Sequence, residues 1–182
     1  MYLLRHPRRA GGYGSVMPAA HLVIISNREA LSWVVTQQRM AFPTGRAKAA
    51  HAIAEGDEVL LYSTRGCFAN PTRDLGRIFG HATVAAPVRT LPEPVRFGER
   101  AFTEGCTLTV HGLTAFREGL VLRDHVHRLE VFPDPKSWSV RLRRASLPLP
   151  PADADMLRNE LGPWLKPYAE VVDDYRWPAV RR

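Results

Sequence analysis

Cysteines and long apolar runs are both scarce in this chain, and each shortage excludes a class of protein. Cys67 and Cys106 are the two cysteines, and neither has a partner at metal-ligand spacing, so no disulfide framework and no zinc site is predicted. No apolar run approaches the ~20 residues that cross a bilayer, and residues 1–20 lack a continuous signal-peptide core. We therefore expect a cytoplasmic protein with no membrane partner, no structural metal and no cofactor.

Sequence signatures of the common enzyme classes are missing as well. G-x-S-x-G, the P-loop, G-x-G-x-x-G and H-E-x-x-H are all missing, so nothing points to a common hydrolase, nucleotide-triphosphate or zinc-protease site. His125 and His127 could face one side of an extended segment, but two ligands are too few for structural zinc. We expect a protein that is not an enzyme.

The composition of the chain is that of one basic globular domain. Its 182 residues are 45% hydrophobic and 24% charged, which suits a folded core. Lysine and arginine number 25 against 18 aspartates and glutamates, so the formal net charge is +7 and the protein attracts polyanions. Nucleic acid is the first partner to consider, although an arginine-rich chain from a GC-rich genome can be basic without binding any. We expect a monomer.

Three regions are predicted along the chain. Residues 1–20 combine Arg, Gly and Pro without a hydrophobic period, which indicates a disordered basic extension. Residues 21–170 contain the periodic segments and form the domain, and residues 171–182 are predicted as a C-terminal tail. In the domain, HLVIIS at 21–26 is typical of a buried strand, and Asn27 is a good N-cap for the amphipathic helix that follows.

The remaining pattern predicts an α+β fold. A short helix is expected over 45–56 and another over 150–161, and the proline-bearing stretch before Cys106 is interpreted as a connection. Further strand candidates lie at 58–63, 75–88, 106–116, 127–132 and 138–144. Five to six strands with short flanking helices favour a compact mixed β-barrel.

Polar side chains follow two of the apolar strands. Ser26 ends the first strand and is followed by Asn27, and Ser63 ends EVLLYS and is followed by Thr64. If the two strands are neighbours, these hydroxyls and the amide meet at one rim and can bind the edge of a flat ring. A helix cap at Asn27 and ordinary turn chemistry at the other positions are the alternative interpretation.

Aromatic and cationic side chains lie close to these strand ends. Trp33 lies across its helix from the apolar stripe, so we predict that its ring is open for base stacking, although it could also pack under a loop. Phe42 and Tyr62 lie in or beside the following loops, and Tyr62 could equally belong to the core. Arg65 is predicted at the base pocket, where it holds phosphate together with nearby cations, and the other predicted phosphate-binding residues are Arg39, Arg46, Lys48 and Arg73.

The order of these segments resembles the EVE family of the PUA-like superfamily. The matching segments are HLVIISNREALSW (21–33), the loop around MAFP, GDEVLLYSTRG (56–66), GRIFGHATV (76–84) and WSVRLRRASLPL (138–149). The resemblance covers roughly residues 20–165. It implies a PUA-like mixed β-barrel and a pocket for a modified base that is flipped out of DNA or unpaired in RNA.

Carried over to this chain, the resemblance implies Trp33 as the pocket wall and Ser26 and Asn27 as its rim. Ser63, Thr64 and Arg65 would form the opposite side, and Phe42 would close the pocket. The expected function is non-catalytic binding of DNA or RNA carrying a modified base. The alternatives are an ASCH-like nuclease or hydrolase on the same barrel and a module that binds another protein.

Overall fold

The computed structural model describes residues 17–43 and 50–177 of the chain, and these form one mixed sheet with short helices around it. The strands are β1 (Ala20–Ile25), β2 (Arg39–Pro43), β3 (Glu58–Ser63), β4 (Arg77–Phe97), β5 (Arg100–Leu113), β6 (Leu120–Val121), β7 (Ser146–Leu149) and β8 (Lys166–Pro167). The α-helices are α1 (Arg28–Gln37), α2 (Pro151–Leu161) and α3 (Tyr168–Val171). No helix in the described ranges is long and apolar enough to span a bilayer.

The strand order is β2-β5-β4-β3-β1-β7, with β6 paired to β4 and β8 paired to β5. β1 and β3 run parallel, and the other pairs are antiparallel, so the sheet is mixed. The predicted α+β fold, a mixed curled sheet with short flanking helices, is confirmed. Two strands have only two residues each, which is too short for a hydrophobic period to reveal them in the sequence.

The sheet carries a hydrophobic core on each face. Alternate residues of β1 belong to different cores, Val23 and Ile25 to one and Leu22 and Ile24 to the other. Side chains of a strand point alternately to opposite faces, so a strand buried on both sides is an uninterrupted apolar run. This explains HLVIIS and also fixes the register of β1, because a shift by one residue would exchange its two faces.

Helix α1 begins where the sequence predicts. The Asn27 side chain accepts a hydrogen bond from the Ala30 backbone N–H at 3.0 Å, so it acts as an N-cap. The helix ends at Gln37, and its C-cap Gln38 has a left-handed backbone conformation with φ of 49°. Its side-chain oxygen then accepts from the Val110 N–H of β5 at 2.8 Å, so the end of the helix is tied to the sheet.

Two of the predicted strands are wrong. Residues 127–132 and 138–144 form 3-10 turns (Val126–Arg128 and Trp138–Leu142). The backbone N–H groups of Glu130 and Val131 donate to the buried Asp153 carboxylate at 3.0 and 2.8 Å, and this side chain replaces a neighbouring strand as their partner. The edge of β1 is meanwhile occupied by β7.

The stretch interpreted as a connection before Cys106 is a long hairpin. β4 continues through its three prolines to Phe97, and β5 begins at Arg100. The register shifts twice between Ala86 and Val95, where the prolines remove backbone donors. Residues 45–49 of the helix predicted over 45–56 lie outside the described residues, as do residues 1–16 of the predicted extension, whereas residues 51–56 contain turns and do not continue a helix.

The C-terminal segment packs on the domain as far as Trp177. Tyr175 is buried, and its hydroxyl donates to the Thr114 carbonyl at 3.0 Å. The Arg28 guanidinium donates to the Tyr175 carbonyl at 3.0 Å and lies over the rings of Phe116 and Trp177. The sequence predicts residues 171–177 as part of a tail, since VVDDYRW has no hydrophobic period that would indicate these distant contacts.

An ion-pair cluster joins β3 to α2. The Arg158 guanidinium contacts both carboxylate oxygens of Glu58 at 2.6 and 2.5 Å, and the His81 ring nitrogen lies 3.0 Å from the same carboxylate. Burial opposes ionisation of Glu58, but the hydrogen bonds and charge of Arg158, with the help of His81, outweigh it and lower the pKa of this carboxyl. The folded state therefore favours ionised Glu58.

We predict that this cluster makes stability depend on acid pH. A carboxyl with a lowered pKa stabilises the folded state fully above its unfolded pKa, near 4.5, and loses that contribution as pH falls through the folded value. Urea unfolding should show wild type more stable than Glu58→Gln at pH 7, with the difference shrinking below pH ~4.5. Glu160→Gln removes an exposed ion pair with Arg128 and is the control. An equal difference at pH 3 and pH 7 would contradict this prediction.

Candidate functional site

The ends of β1 and β3 form one rim. The two strands are paired in parallel with Ile25 opposite Ser63, and the Thr64 N–H donates to the Ile25 carbonyl at 3.0 Å. Carboxyl ends of parallel neighbours lie at the same edge of a sheet, so Ser26 and Asn27 come beside Thr64. The condition set by the sequence, that these strands be neighbours, is met.

A cavity of about 730 Å³ opens at this rim, and we call it the hairpin cavity because the tip of the β4–β5 hairpin lines it. Its floor comes from β1, α1 and β2, and its remaining wall from the segment before β7. The lining residues used below are Ser26, Asn27, Thr64, Phe97, Glu99, Arg100, Phe102, Leu142, Arg143 and Arg144. The site thus combines segments more than 100 positions apart in the chain.

Three aromatic rings form a row beside the hairpin cavity. Phe97 contacts Phe102 edge-on with ring centroids 5.4 Å apart, and Trp33 contacts Phe97 edge-on at 5.7 Å. Phe97 and Phe102 line the cavity, whereas Trp33 is half-buried and absent from the described lining. Trp33 therefore supports the wall from behind, and direct stacking of a base on its indole stays a prediction.

Positive charge dominates the polar part of the lining. Arg100, Arg143 and Arg144 are exposed there, and Glu99 is the single carboxylate among the described lining residues. No described acidic side chain pairs with Arg100 or Arg144, so their charge is available to an incoming anion. The mouth of the hairpin cavity is suited to a ligand that carries negative charge.

A second cavity of about 440 Å³ adjoins the first, and we call it the loop cavity because residues 64–76 form one side of it. Tyr62, Leu75, Val121 and Trp138 supply apolar surface. The polar residues of its lining are Thr64, Arg65, Arg123 and Ser139. Thr64 and Leu142 line both cavities and form the divider between them.

Tyr62 lies at the base of the loop cavity and depends on Gly76. Burial, partly offset by the charge of Arg65, raises the pKa of Tyr62 to about 12, so its hydroxyl is neutral at physiological pH. A Cβ on Gly76 would lie 2.0 Å from that hydroxyl oxygen. The absence of a side chain at Gly76 therefore leaves room for the Tyr62 ring.

The predicted site residues separate into groups. Ser26, Asn27 and Thr64 line the hairpin cavity, and Tyr62, Thr64 and Arg65 line the loop cavity. Ser63 and Phe42 are buried and line neither one, because both side chains point from their strands into the interior. Arg39 and Arg73 are exposed outside both linings. Arg46 and Lys48 lie outside the described residues.

Sequence reasoning missed the hairpin tip and the arginines before β7. Phe97 and Phe102 flank Gly98 and Glu99 in VRFGERAF, and two aromatics on either side of a glycine turn are a hairpin signal. Arg143 and Arg144 lie in a segment taken for a strand. Their place at the cavity depends on the turn at Trp138–Leu142, which no local pattern indicates.

Both cysteines are buried. Burial raises the pKa of Cys67 to about 12 and that of Cys106 to about 11, so both thiols stay protonated at neutral pH and are poor nucleophiles. Residues 17–43 and 50–177 contain no group of three His, Cys, Asp or Glu side chains arranged to hold a metal ion.

No protein-family model matches the chain, and no curated protein matches it. Solved structures do resemble it. A hypothetical protein from Leishmania major has a TM-score of 0.52 and 14% identity, over 79% of this chain and 94% of that one. Human THYN1, in complex with 5-methylcytosine-containing DNA, has a TM-score of 0.48 and 12% identity over 78% and 96%. Rpa0253 of Rhodopseudomonas palustris has 0.48 and 17% over 79% and 93%. At such identities the likeness concerns the fold alone, and membership of the EVE family stays a prediction.

We predict that Gly76→Ala lowers stability by about 1–3 kcal/mol, because the new methyl group must displace the Tyr62 ring from a packed core. Gly66→Ala is the matched control, since apart from its chain neighbours only the Thr64 side-chain oxygen, at 3.9 Å, lies within 4 Å of a Cβ built there. Its effect should stay within about 0.5 kcal/mol. Thermal and urea unfolding measure both variants, and equal stability of the two would show that Tyr62 yields without cost.

Proposed function

We propose that this chain is a non-enzymatic nucleic-acid-binding domain that holds an unpaired or flipped base, carrying a modification, in the hairpin cavity. The observation that carries the proposal is one cavity that joins an aromatic wall, a polar rim at two strand ends and arginines at its mouth. A base needs a flat apolar surface and polar edges, and its backbone needs positive charge. All three are present within one lining.

The wall is suited to a flat ring. Phe102 is half-buried and Phe97 is 8% exposed, so both are held in place while part of Phe102 remains accessible. The volume of about 730 Å³ lies within the ~300–1,000 Å³ typical of ligand pockets. A cavity of this size has room for a base with an added methyl or similar group, and the phenylalanine wall offers that group apolar surface.

The rim offers hydrogen bonds to the edge of the ring. Ser26 is exposed, and its hydroxyl can donate and accept. The Asn27 side-chain oxygen is engaged by the Ala30 N–H, whereas its amide NH₂ still has two donors for a ligand. The capping role of Asn27 thereby orients the amide that would bind the base.

The mouth of the cavity is suited to phosphate. Arg100 comes from the hairpin tip and Arg144 from the segment before β7, so the two cations approach from different sides. Such contacts position the strand without reading its sequence, and the net charge of +7 adds long-range attraction.

We expect Phe102→Leu to weaken binding of a short modified oligonucleotide about tenfold, because stacking on an aromatic ring contributes about 1–3 kcal/mol. Trp33→Leu should weaken it less, since the indole acts through Phe97 and an edge-on pair contributes about 0.5–1.5 kcal/mol. Fluorescence anisotropy of a labelled oligonucleotide measures both variants.

The same titration distinguishes the rival interpretations. A larger loss of affinity in Trp33→Leu than in Phe102→Leu would indicate that the base stacks on the Trp33 indole. Equal affinity of wild type and both variants for plain and modified strands would reject the base pocket. Cleavage of the labelled DNA or RNA during the titration, seen on a denaturing gel, would contradict a non-enzymatic role.

We predict that Arg144→Gln weakens binding to all sequences and reduces the slope of log affinity against log salt by about 1, since one phosphate contact is lost. Arg128→Gln is a control with the same change of charge, because Arg128 pairs with Glu160 and lines neither cavity. Its slope should match that of wild type. Equal salt slopes for Arg144→Gln and Arg128→Gln would show that Arg144 does not contact a phosphate.

A further inference from the structure

We propose that the hairpin and loop cavities bind two consecutive unstacked nucleotides of one single strand, with Thr64 and Leu142 between the two bases. This inference rests on the proposed function of the hairpin cavity and specifies its substrate as single-stranded nucleic acid at least two nucleotides long. A site for one flipped base needs a single compartment, whereas this site has two.

The two cavities are adjacent because they share two lining residues, Thr64 and Leu142. Thr64 follows β3, and its backbone N–H is held by the Ile25 carbonyl of β1, so this part of the divider is anchored to the sheet. Leu142 ends the 3-10 turn Trp138–Leu142 and contacts the second core. Because both residues line both cavities, a ligand that leaves one cavity over the divider enters the other.

The loop cavity has its own surface for a base. Trp138 is half-buried, and its ring contacts Phe132 edge-on with centroids 5.9 Å apart, so the indole is held in one orientation. Leu75, Val121 and the Tyr62 ring complete an apolar lining. A volume of about 440 Å³ also lies within the range of ~300–1,000 Å³ for ligand pockets.

Cations lie on either side of the divider, where the linking phosphate would pass. Arg65 directly follows Thr64 and lines the loop cavity, and Arg143 directly follows Leu142 and lines the hairpin cavity. Both side chains are exposed. No described acidic side chain pairs with Arg65. Two bases and the phosphate between them therefore find two apolar compartments and positive charge at the divider.

Separation of the bases by two side chains prevents them from stacking on each other. Neighbouring bases in a duplex are stacked and paired, so a duplex can present both only after local melting. Recognition of splayed bases is typical of single strands, loops and ends. The arrangement favours an unpaired strand over a duplex with one flipped base.

Two exposed serines allow each cavity to be filled separately. Ser26 lines only the hairpin cavity, and Ser139 lines only the loop cavity. Ser26→Trp and Ser139→Trp would each place a bulky ring in one compartment from its rim. Ala152→Trp, at an exposed position of α2 that lines neither cavity, controls for the added indole. Thermal unfolding checks that all three variants fold.

The ligands are chosen to measure separately how much one base, a second phosphate and a second base contribute to affinity. A panel of plain and methylated nucleoside monophosphates first identifies the mononucleotide that binds tightest to wild type by calorimetry. That mononucleotide is then compared with its 3′,5′-bisphosphate and with dinucleotides that extend it on either side. The comparison of a single strand with the matching duplex completes the set.

We expect a dinucleotide to bind wild type and Ala152→Trp about tenfold more tightly than the bisphosphate, as one further stacked base provides. Ser139→Trp should abolish this gain and leave mononucleotide affinity unchanged, whereas Ser26→Trp should weaken every ligand. Three results would overturn the proposal: a dinucleotide no tighter than the bisphosphate, a gain that survives in Ser139→Trp, or a duplex that binds as tightly as the single strand.

Failure of the proposed function has a different signature. If no mononucleotide, dinucleotide or longer strand binds wild type at low salt, nucleic-acid binding itself is rejected. If the mononucleotide binds and Ser26→Trp removes that binding, the hairpin cavity is supported even where the second compartment is not.

Discussion

The parallel pairing of β1 with β3 is the constraint on which the site depends. It places the ends of two apolar strands at one edge of the sheet, and the hydrogen bond from the Thr64 N–H to the Ile25 carbonyl continues the pairing past the strands themselves. Both strands are buried on both faces, so a shift of either by one residue would exchange its two sets of apolar side chains. Packing of apolar side chains in the two cores therefore fixes the strand register, and with it the position of the polar residues at the rim.

The long β4–β5 hairpin supplies what the rim lacks. Its strands of 21 and 14 residues are longer than the sheet requires, and the excess brings Phe97 and Phe102 back over α1. Trp33 on that helix meets the hairpin through Phe97, at a centroid distance of 5.7 Å. An aromatic wall thus forms from two elements that are far apart in sequence and is stabilised by edge-on ring contacts.

Acidic and basic side chains are distributed differently around the sheet and around the two cavities. Acidic residues near the sheet are largely engaged, as Glu58 is with Arg158, while the arginines around the two cavities include several without an acidic partner among the described residues. Long-range attraction from the net charge and local contacts at the divider would act on the same polyanion. The second compartment is the basis for proposing that this polyanion is a single strand of at least two nucleotides.

The sequence by itself determined the local elements of this protein and only part of its site. Strand β1, the cap at Asn27, helix α1 and strand β3 follow from patterns within a dozen residues, because hydrophobic period and capping are local properties. The tertiary structure decided that Phe42 is buried, that Trp33 lies behind Phe97, and that residues 127–144 turn instead of pairing. Those outcomes depend on which distant partner a side chain or backbone group meets, as the Asp153 carboxylate shows when it takes the N–H groups of Glu130 and Val131. No single segment of the sequence specifies which distant partner its side chains and backbone groups will meet.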